Sequence, residues 1–316
     1  MATLKELSTR KDPLCGGHRA CSGCGFPQIV RMVCMASKDP VVVVSATGCL
    51  EVVTTIFPYS AWTVPFVHNA FENAAATMSG IEAAYKALSK KGKLLKKINF
   101  VAFGGDGGTY DIGLQSLSGA MERGHDMLYV CYNNQAYMNT GVQRSGATPT
   151  GANTTTEPAG KVKQGKMEKR KDLTEIMVAH DIPYVAQATV GFWADLTRKA
   201  EKAFATPGPK FMNVLQPCRL GWIYKPEDTM VIARLAAETC FWPLYEVVNG
   251  KYKITYKPRE KKPVVDFLKS QDRFRHLFKP QNAQFLEDIQ KEIDARWEML
   301  LAKEVSSSVA IAKGEK

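Results

Sequence analysis

Several nucleotide-binding and membrane signals are missing from this 316-residue sequence. It has no Gly-Lys-Ser or Gly-Lys-Thr, which excludes a P-loop, and the glycine-rich stretch 105–110 lacks the third glycine of a dinucleotide-binding fingerprint. No apolar run reaches membrane-spanning length, and the first ten residues are polar and charged rather than a signal peptide. We therefore expect a cytoplasmic protein with no membrane contact.

The charge is strongly basic, with a formal net charge of +11 and a pI near 9.2. No nucleic-acid-binding motif accompanies this charge, and the basic runs lie on separate segments without interleaved aromatic residues. We expect these runs to be solvated faces rather than a nucleic-acid interface, and a basic surface would favour acidic protein partners by electrostatic steering. The runs occupy residues 90–93, 96–97, 161–171 and 257–262.

The most informative polar residues follow two predicted strands. Residues 98–103 and 127–132 are short apolar runs typical of buried strands, and the segment between them has apolar residues at helical spacing. A strand–helix–strand unit of this size gives two parallel strands with a right-handed crossover. Asp106 and Asn134 therefore emerge at the carboxyl ends of parallel strands, where open α/β sheets bind ligands.

A carboxylate and an amide at this edge suit a hard cation that holds a diphosphate. Mg²⁺ takes six oxygen ligands and rarely obtains all of them from protein, so phosphate oxygens and water would complete the shell around Asp106 and Asn134. The glycines flanking Asp106 would let the main chain approach the phosphates. On these residues alone, a glycine-rich turn without a ligand is the alternative, because Gly-Asp-Gly is common in turns.

Gly-Asp-Gly followed at this spacing by Asn-Asn resembles the motif of thiamine diphosphate enzymes. Four longer stretches sharpen this to a resemblance to β subunits of the 2-oxoacid:ferredoxin oxidoreductases, particularly those acting on pyruvate, and the resemblance runs from about residue 15 to residue 274. It implies thiamine diphosphate and Mg²⁺ as cofactors, and oxidative decarboxylation of a small 2-oxoacid with ferredoxin as electron acceptor. The four stretches are residues 46–49, 68–76, 105–113 and 136–141.

The resemblance also implies roles for individual residues. Mg²⁺ would be held by Asp106, Asn134 and the carbonyl of Ala136. Asn139 is expected to point at the thiazolium ring and the substrate, and His68 is a candidate acid or base, with a structurally satisfied histidine as the alternative. The diphosphate site would be lined by Gly48, Cys49, Gly105 and Gly107.

Eight cysteines raise the question of metal binding. A chain with 45% hydrophobic residues can build a core without disulfides, so we expect reduced thiols. Cys21 and Cys24 form a C-x-x-C that is typical of a metal site or a redox pair, but no second C-x-x-C supports a zinc ribbon. The resemblance implies a [4Fe–4S] cluster held by Cys21, Cys24, Cys49 and Cys218. The remaining four are expected to be structural: Cys15, Cys34, Cys131 and Cys240.

The predicted architecture is α/β, an open and mainly parallel sheet with helices on both faces. Residues 12–225 would form the domain that binds thiamine diphosphate and the cluster. Residues 226–316 would form a C-terminal extension, a hairpin on Asn249-Gly250 followed by a polar helix at about 283–302, which contacts a partner subunit. The predicted strands are 41–44, 98–103, 127–132, 184–186 and 210–215, and the predicted helices are 28–36, 71–89, 111–123, 173–179 and 193–205.

Two features that the resemblance leads us to expect are not found in this sequence, and we expect partner subunits to supply them. In this family the glutamate that activates the aminopyrimidine comes from another module, and the sequence has no ferredoxin-type C-x-x-C-x-x-C-x-x-x-C-P run for further clusters. We therefore expect an α subunit and ferredoxin-like cluster subunits, with coenzyme A as a candidate acyl acceptor. Two alternatives are a non-redox thiamine diphosphate decarboxylase or carboligase subunit and a non-catalytic cluster-bearing subunit.

One tripeptide departs from the family pattern. Pyruvate-type β subunits usually read Asp-Asn-Glu before Ala-Tyr-Met-Asn-Thr, whereas this chain has Asn133-Asn134-Gln135. Two fewer carboxylates near the cofactor would favour a dianion over a monoanion. We therefore rank pyruvate first as substrate, oxalate a close second and branched-chain 2-oxoacids third. Oxalate would be split to CO₂ without coenzyme A. Neutral drift is the alternative explanation of the two substitutions.

Overall fold

The computed structural model describes residues 2–314, and it describes side chains as far as residue 309. In that part of the chain, eight strands form a single sheet in the order β2-β1-β3-β4-β6-β5-β7-β8. The strands are β1 (Val41–Ala46), β2 (Phe66–Asn69), β3 (Asn99–Gly105), β4 (Leu128–Asn133), β5 (Tyr184–Thr189), β6 (Lys210–Leu215), β7 (Leu244–Val248) and β8 (Lys251–Tyr256). Strands β1 to β6 run parallel, and β7 and β8 add an antiparallel edge.

Helices cover both faces of the sheet, which confirms the predicted fold class. Because side chains alternate along a strand, Val101 and Phe103 of β3 enter one core while Phe100 and Ala102 enter the other. The helices are α1 (Leu4–Ser8), α2 (Phe26–Ala36), α3 (Cys49–Thr54), α4 (Ala74–Lys90), α5 (Leu114–Glu122), α6 (Leu173–Val178), α7 (Trp193–Ala205), α8 (Arg219–Trp222), α9 (Thr229–Glu238), α10 (Val264–Lys269) and α11 (Ala283–Gly314). No described helix is both long and apolar enough to cross a membrane.

The central strands are buried on both faces, and this burial explains which strands could be predicted. All six residues of β4, of β5 and of β6 are buried, and each of these strands is mostly apolar in sequence. The edge strand β2 has only four residues and none of them is buried, so its sequence carries no comparable signal. The helix predicted at 111–123 instead begins as a π-helical turn over Gly107–Ile112 and becomes α-helical at Leu114.

The C-terminal hairpin is continuous with the main sheet. Strand β7 pairs antiparallel with β5, and β8 pairs with β7, so residues 244–256 extend the sheet. Helix α11 is longer than predicted, at 32 residues, and buries Ile293 and Trp297 in the core. The division at residue 226 and the contact with a partner subunit stay predictions, and residues 315–316 of that segment lie outside the described part.

A buried ion pair ties α7 to the sheet. The ammonium group of Lys199 donates to Oδ2 of Asp195 at 2.6 Å and to the carbonyl oxygen of Gln187 at 2.7 Å, and the Lys199 side chain is only 1% exposed. An ammonium group at this depth needs its partner charge, because water cannot replace it.

We predict that Asp195→Ala lowers the free energy of unfolding by about 3–5 kcal/mol, since it leaves a buried charge unpaired. The matched control is Asp39→Ala, whose partner Lys97 has a 68% exposed side chain, and it should cost no more than about 1 kcal/mol. Chemical denaturation measures both variants, and equal losses would contradict the assignment.

Candidate cofactor site

The ends of β3 and β4 bring the two predicted metal ligands together. Strand β3 leads directly into Asp106 and β4 into Asn134, and the parallel register sets Gly105 beside Tyr132. The backbone N–H of Asn134 donates to Oδ1 of Asp106 at 3.1 Å, and the hydroxyl of Ser145 donates to Oδ2. The convergence expected from the strand–helix–strand pattern is therefore present in the structure.

The side-chain amide of Asn134 completes a set of three polar groups. One of its terminal atoms lies 3.0 Å from Oδ1 of Asp106 and 2.8 Å from the carbonyl oxygen of Ala136. An amide nitrogen at this position donates to both groups, whereas an amide oxygen makes three acceptors that converge with no donor between them. In a Mg²⁺ octahedron with bonds of about 2.1 Å, adjacent oxygens lie about 3.0 Å apart. The three residues therefore fit a magnesium ion.

When no cation is nearby, burial disfavours the ionised form of the Asp106 carboxyl group. The residue is 1% exposed. Burial raises the pKa of its carboxyl group to about 7, although hydrogen bonds from Ser145 and from the backbone of Asn134 favour the charged form. A divalent cation beside the carboxylate would offset that desolvation. The buried carboxylate of Asp106 and the polar groups around it thus both suit a bound cation.

One cavity opens beside Asp106. It is lined by every residue predicted to hold the metal ion or the diphosphate, and by Asn139. Seven further lining residues were not predicted: Thr47, Phe71, Gly108, Tyr132, Tyr137, Met138 and Thr140. None of the described residues that line the cavity is lysine or arginine, so backbone N–H groups and a cation would have to balance the charge of a phosphate.

Two glycines are required because the main chain is crowded at this cavity. A Cβ atom on Gly107 would lie 2.3 Å from a ring carbon of Tyr137, and a Cβ atom on Gly48 would lie 2.7 Å from the hydroxyl oxygen of Tyr132. The hydroxyl of Tyr137 also donates to the carbonyl oxygen of Gly107 at 2.9 Å, which fixes the loop. Close approach of the backbone to a ligand is a known use of glycine.

The structure does not bring His68 to the cavity. The residue lies on the edge strand β2 with 48% of its side chain exposed, and its Nε2 is 3.7 Å from Oε1 of Glu51. It is not among the residues that line the cavity. Its role as an acid or base stays a prediction that the contacts in this chain do not support.

The four predicted cluster ligands occupy one region, although they come from distant parts of the chain. Cys21 and Cys24 lie in a turn, Cys49 begins α3 and Cys218 precedes α8. Burial raises the pKa of the Cys49 thiol to about 12, and negative charge on Cys218 and Cys21 raises it further. The pKa of Cys24 is raised in the same way, first by burial and then by Cys218, Cys49 and Cys21.

The C-x-x-C turn is held against the start of α9. Gly23 has a φ of +75°, and a Cβ atom there would lie 2.5 Å from the carbonyl oxygen of Pro226. The hydroxyl of Thr229 donates to the carbonyl oxygen of Gly23 at 2.7 Å. These contacts keep Cys21 and Cys24 near the other two cysteines.

Within residues 2–314, no group of three or more His, Cys, Asp and Glu side chains is arranged to hold a metal ion. A [4Fe–4S] cluster is wider than one ion, and each of its four thiolates binds a different iron, so its ligands need not crowd around one point. None of the eight cysteines forms a disulfide. Cys34, Cys131 and Cys240 are buried and Cys15 is exposed.

The two amides that replace the usual carboxylates face away from the cavity. Asn133 is fully buried, and its Nδ2 donates to the hydroxyl of Tyr110 at 2.8 Å. Gln135 has a φ of +65°, and its Oε1 accepts a hydrogen bond from Arg273 at 2.6 Å. Neither residue lines the cavity, so the electrostatic argument for a dianionic substrate loses its basis. The oxalate hypothesis is not supported.

Residues 46–214 match the family model described as thiamine pyrophosphate enzyme, C-terminal TPP binding domain. The chain is 54% identical to the pyruvate synthase subunit PorB of Methanocaldococcus jannaschii, over 92% of this chain and 97% of that protein. It is 52% identical to PorB of Thermotoga maritima, over 95% of this chain and 94% of that protein. It is also 45% identical to the ketoisovalerate oxidoreductase subunit VorB of Pyrococcus abyssi, over 90% and 91%.

A solved structure of lower sequence identity shares the fold. The 2-oxoglutarate:ferredoxin oxidoreductase from Magnetococcus marinus aligns with a TM-score of 0.55 at 20% identity, covering 71% of this chain and 79% of that one. The matched thiamine pyrophosphate domain includes both strands that carry Asp106 and Asn134. With nearly full-length relatives at such identities, this chain belongs to the PorB family of β subunits of 2-oxoacid:ferredoxin oxidoreductases.

Proposed function

We propose that this chain is the subunit of a 2-oxoacid:ferredoxin oxidoreductase that binds thiamine diphosphate, decarboxylates pyruvate oxidatively and passes the electrons toward ferredoxin. The convergence of Asp106, Asn134 and the Ala136 carbonyl on one point of the cavity carries the proposal. Support comes from two relatives of nearly full coverage that are named pyruvate synthase subunits.

The chain's own residues would position the cofactor. Bound thiamine diphosphate supplies the nucleophilic carbon and the electron sink for decarboxylation. Asp106, Asn134 and the carbonyl of Ala136 would hold Mg²⁺, and the backbone at Gly48, Cys49, Gly105 and Gly107 would bind the diphosphate. Asn139 lies in the same cavity and would orient the substrate.

The second part of the proposal is a [4Fe–4S] cluster on Cys21, Cys24, Cys49 and Cys218. Cys49 belongs to both sites, since it lines the cofactor cavity and its thiol interacts with the charges of Cys218 and Cys21. A cluster ligand in the cavity wall would give electrons a short route out of the cofactor site, one at a time.

Partner subunits would complete the enzyme. No glutamate is among the described residues that line the cavity. The carboxylate that activates the aminopyrimidine would therefore come from an α subunit, and ferredoxin-like subunits would carry further clusters. Coenzyme A is the proposed acyl acceptor.

A branched-chain 2-oxoacid is the second candidate substrate. The VorB relative is 45% identical, whereas PorB of Pyrococcus furiosus is 44% identical, so overall identity does not separate the two substrates. Phe71, Tyr137 and Met138 contribute large side chains to the cavity wall, which favours the smaller acid. Pyruvate is therefore the proposed substrate.

We predict that Asp106→Ala abolishes retention of thiamine diphosphate, because it removes the only carboxylate on the proposed metal ion. Asn134→Ala removes a neutral ligand and should weaken binding about tenfold, the equivalent of one ordinary hydrogen bond. Cofactor content after gel filtration measures both variants. The control is Asp126→Asn, which lies just before the amino end of β4, away from the cavity at the carboxyl ends of the strands, and it should retain the cofactor. Unchanged cofactor in the Asp106→Ala protein would refute the metal site.

We predict about four irons and four acid-labile sulfides per chain after anaerobic reconstitution. Serine at any of the four proposed ligands should reduce iron content, since an alcohol is a poor substitute for a thiolate. The matched controls are Cys34→Ser and Cys131→Ser, which alter buried thiols outside the group and should keep the iron. Zinc in place of iron, or no loss from Cys218→Ser, would exclude this cluster.

We predict that the isolated chain does not reduce viologen with any 2-oxoacid, because the activating glutamate is on a partner. The full complex should use pyruvate with coenzyme A, and its kcat/KM for 2-ketoisovalerate should be at least about tenfold lower, as expected for extra methyl groups in a tight pocket. Steady-state viologen reduction measures both acids. Turnover by the isolated chain would contradict the partner assignment, and a preference for 2-ketoisovalerate would reassign the substrate.

A further inference from the structure

Arg273 is a buried cation whose hydrogen-bond partners are neutral. Its side chain is almost completely shielded from water, at 2% exposure. Its Nε donates to Oε1 of Gln271 at 2.7 Å, and a terminal nitrogen donates to Oε1 of Gln135 at 2.6 Å. Over the described residues, no carboxylate forms a salt bridge with it. Amide oxygens satisfy its hydrogen bonds and leave its charge uncompensated.

Arg273 lies between the two proposed sites. Its guanidinium carbon is 3.8 Å from the centre of the Trp222 ring. Trp222 ends the short helix α8, which Cys218 precedes, and its indole N–H donates to the carbonyl oxygen of Asn134 at 2.8 Å. One aromatic side chain thus connects the cysteine group to the metal ligands, and Arg273 covers its face.

Two of the three groups whose negative charge would favour the guanidinium ion belong to the two proposed sites. Burial lowers the pKa of Arg273 well below its usual range, and the groups that oppose this are Cys218, Tyr224 and Asp106, in that order. Four thiolates would give an iron–sulfur cluster at Cys218 a net negative charge, which is the counter-charge that Arg273 lacks.

We infer that Arg273 is a positioning residue that compensates the negative charge of the cluster and raises its reduction potential. The inference rests on the proposed function, because it requires a cluster at the four cysteines. A fixed positive charge favours the reduced state of a cluster, which is the more negative one, and net charge near a cluster is one of the factors that set its potential.

Gln135 allows the same charge to be altered without removing Arg273. It is fully buried, and its Nε2 has no hydrogen-bond partner. Gln135→Glu would set a carboxylate of the same size opposite the guanidinium group and neutralise the pair. Both Gln135→Glu and Arg273→Gln therefore remove one net positive charge beside the cluster.

The test is a redox titration of the complete complex, monitored by electron paramagnetic resonance. The signal of this chain's cluster is the one that Cys218→Ser removes. In Arg273→Gln and in Gln135→Glu, the ratio of reduced to oxidised cluster at a fixed potential should fall at least tenfold, a shift of about 59 mV for a one-electron couple. Arg273→Lys keeps the charge and should stay close to the unaltered protein.

Arg170→Gln is the matched control. Arg170 also stacks on aromatic rings, 4.9 Å from the centre of Trp242, but its charged neighbours are Arg296, Asp172 and Glu292 rather than the cysteines. Its replacement should leave the potential unchanged. If Arg273→Gln does not assemble, Gln135→Glu decides the question alone.

An unchanged potential in Gln135→Glu, with the cluster present, would overturn the inference and leave the proposed function intact. So would an Arg273→Lys variant that shifts as far as Arg273→Gln, because the role would then be packing. Absence of any signal that depends on Cys218 in the unaltered complex would overturn both the inference and the proposed cluster.

Discussion

A buried carboxylate at the end of a central strand is the constraint around which this site is organised. Burial raises the pKa of Asp106 to about 7, and its nearest neighbours are hydrogen-bond donors from Ser145 and Asn134. A positive charge beside such a group would favour its ionised form. A terminal atom of the Asn134 amide and the carbonyl oxygen of Ala136 lie beside this carboxylate, so the loop after β4 contributes two of the three groups at this point.

The group of four cysteines and the cofactor cavity are connected by residues that lie far apart in the sequence. Cys49 lines the cofactor cavity and also belongs to the group of four cysteines. Trp222 follows Cys218 by one helical turn and bonds the backbone of Asn134. Cys49 and Trp222 therefore connect the two groups of residues, and the guanidinium group of Arg273 stacks on the Trp222 ring.

Local sequence patterns predicted the strands whose residues are both apolar and buried. The apolar runs of β3 and β4 located Asp106 and Asn134 correctly, because buried parallel strands are mostly apolar and their carboxyl ends lie on one side of the sheet. The edge strand β2 gave no signal, because none of its residues is buried. The grouping of cysteines from residues 21 to 218 could come only from the family resemblance, since no spacing rule joins such distant loops.

Neighbours in the sequence can point their side chains in different directions, and no local pattern reveals which. Asn133 and Gln135 adjoin a metal ligand in sequence, yet one is drawn into the core by Tyr110 and the other turns through a left-handed backbone toward Arg273. Arg273 lies 138 residues from Gln135, and no local pattern marks it as part of the site. Arg273 reaches Gln135 because the segment after α10, which contains Arg273, packs against α8.

The proposed metal site is tested most directly by a crystal structure of the chain with thiamine diphosphate and Mn²⁺ in place of Mg²⁺, using the anomalous signal of manganese. We expect one manganese peak bonded to Asp106 Oδ1, to the side-chain oxygen of Asn134 and to the carbonyl oxygen of Ala136, at the short distances of an octahedral site. A peak elsewhere in the chain, or an Asn134 side chain that still donates its N–H groups to Asp106 and Ala136 in the presence of the cofactor, would contradict it.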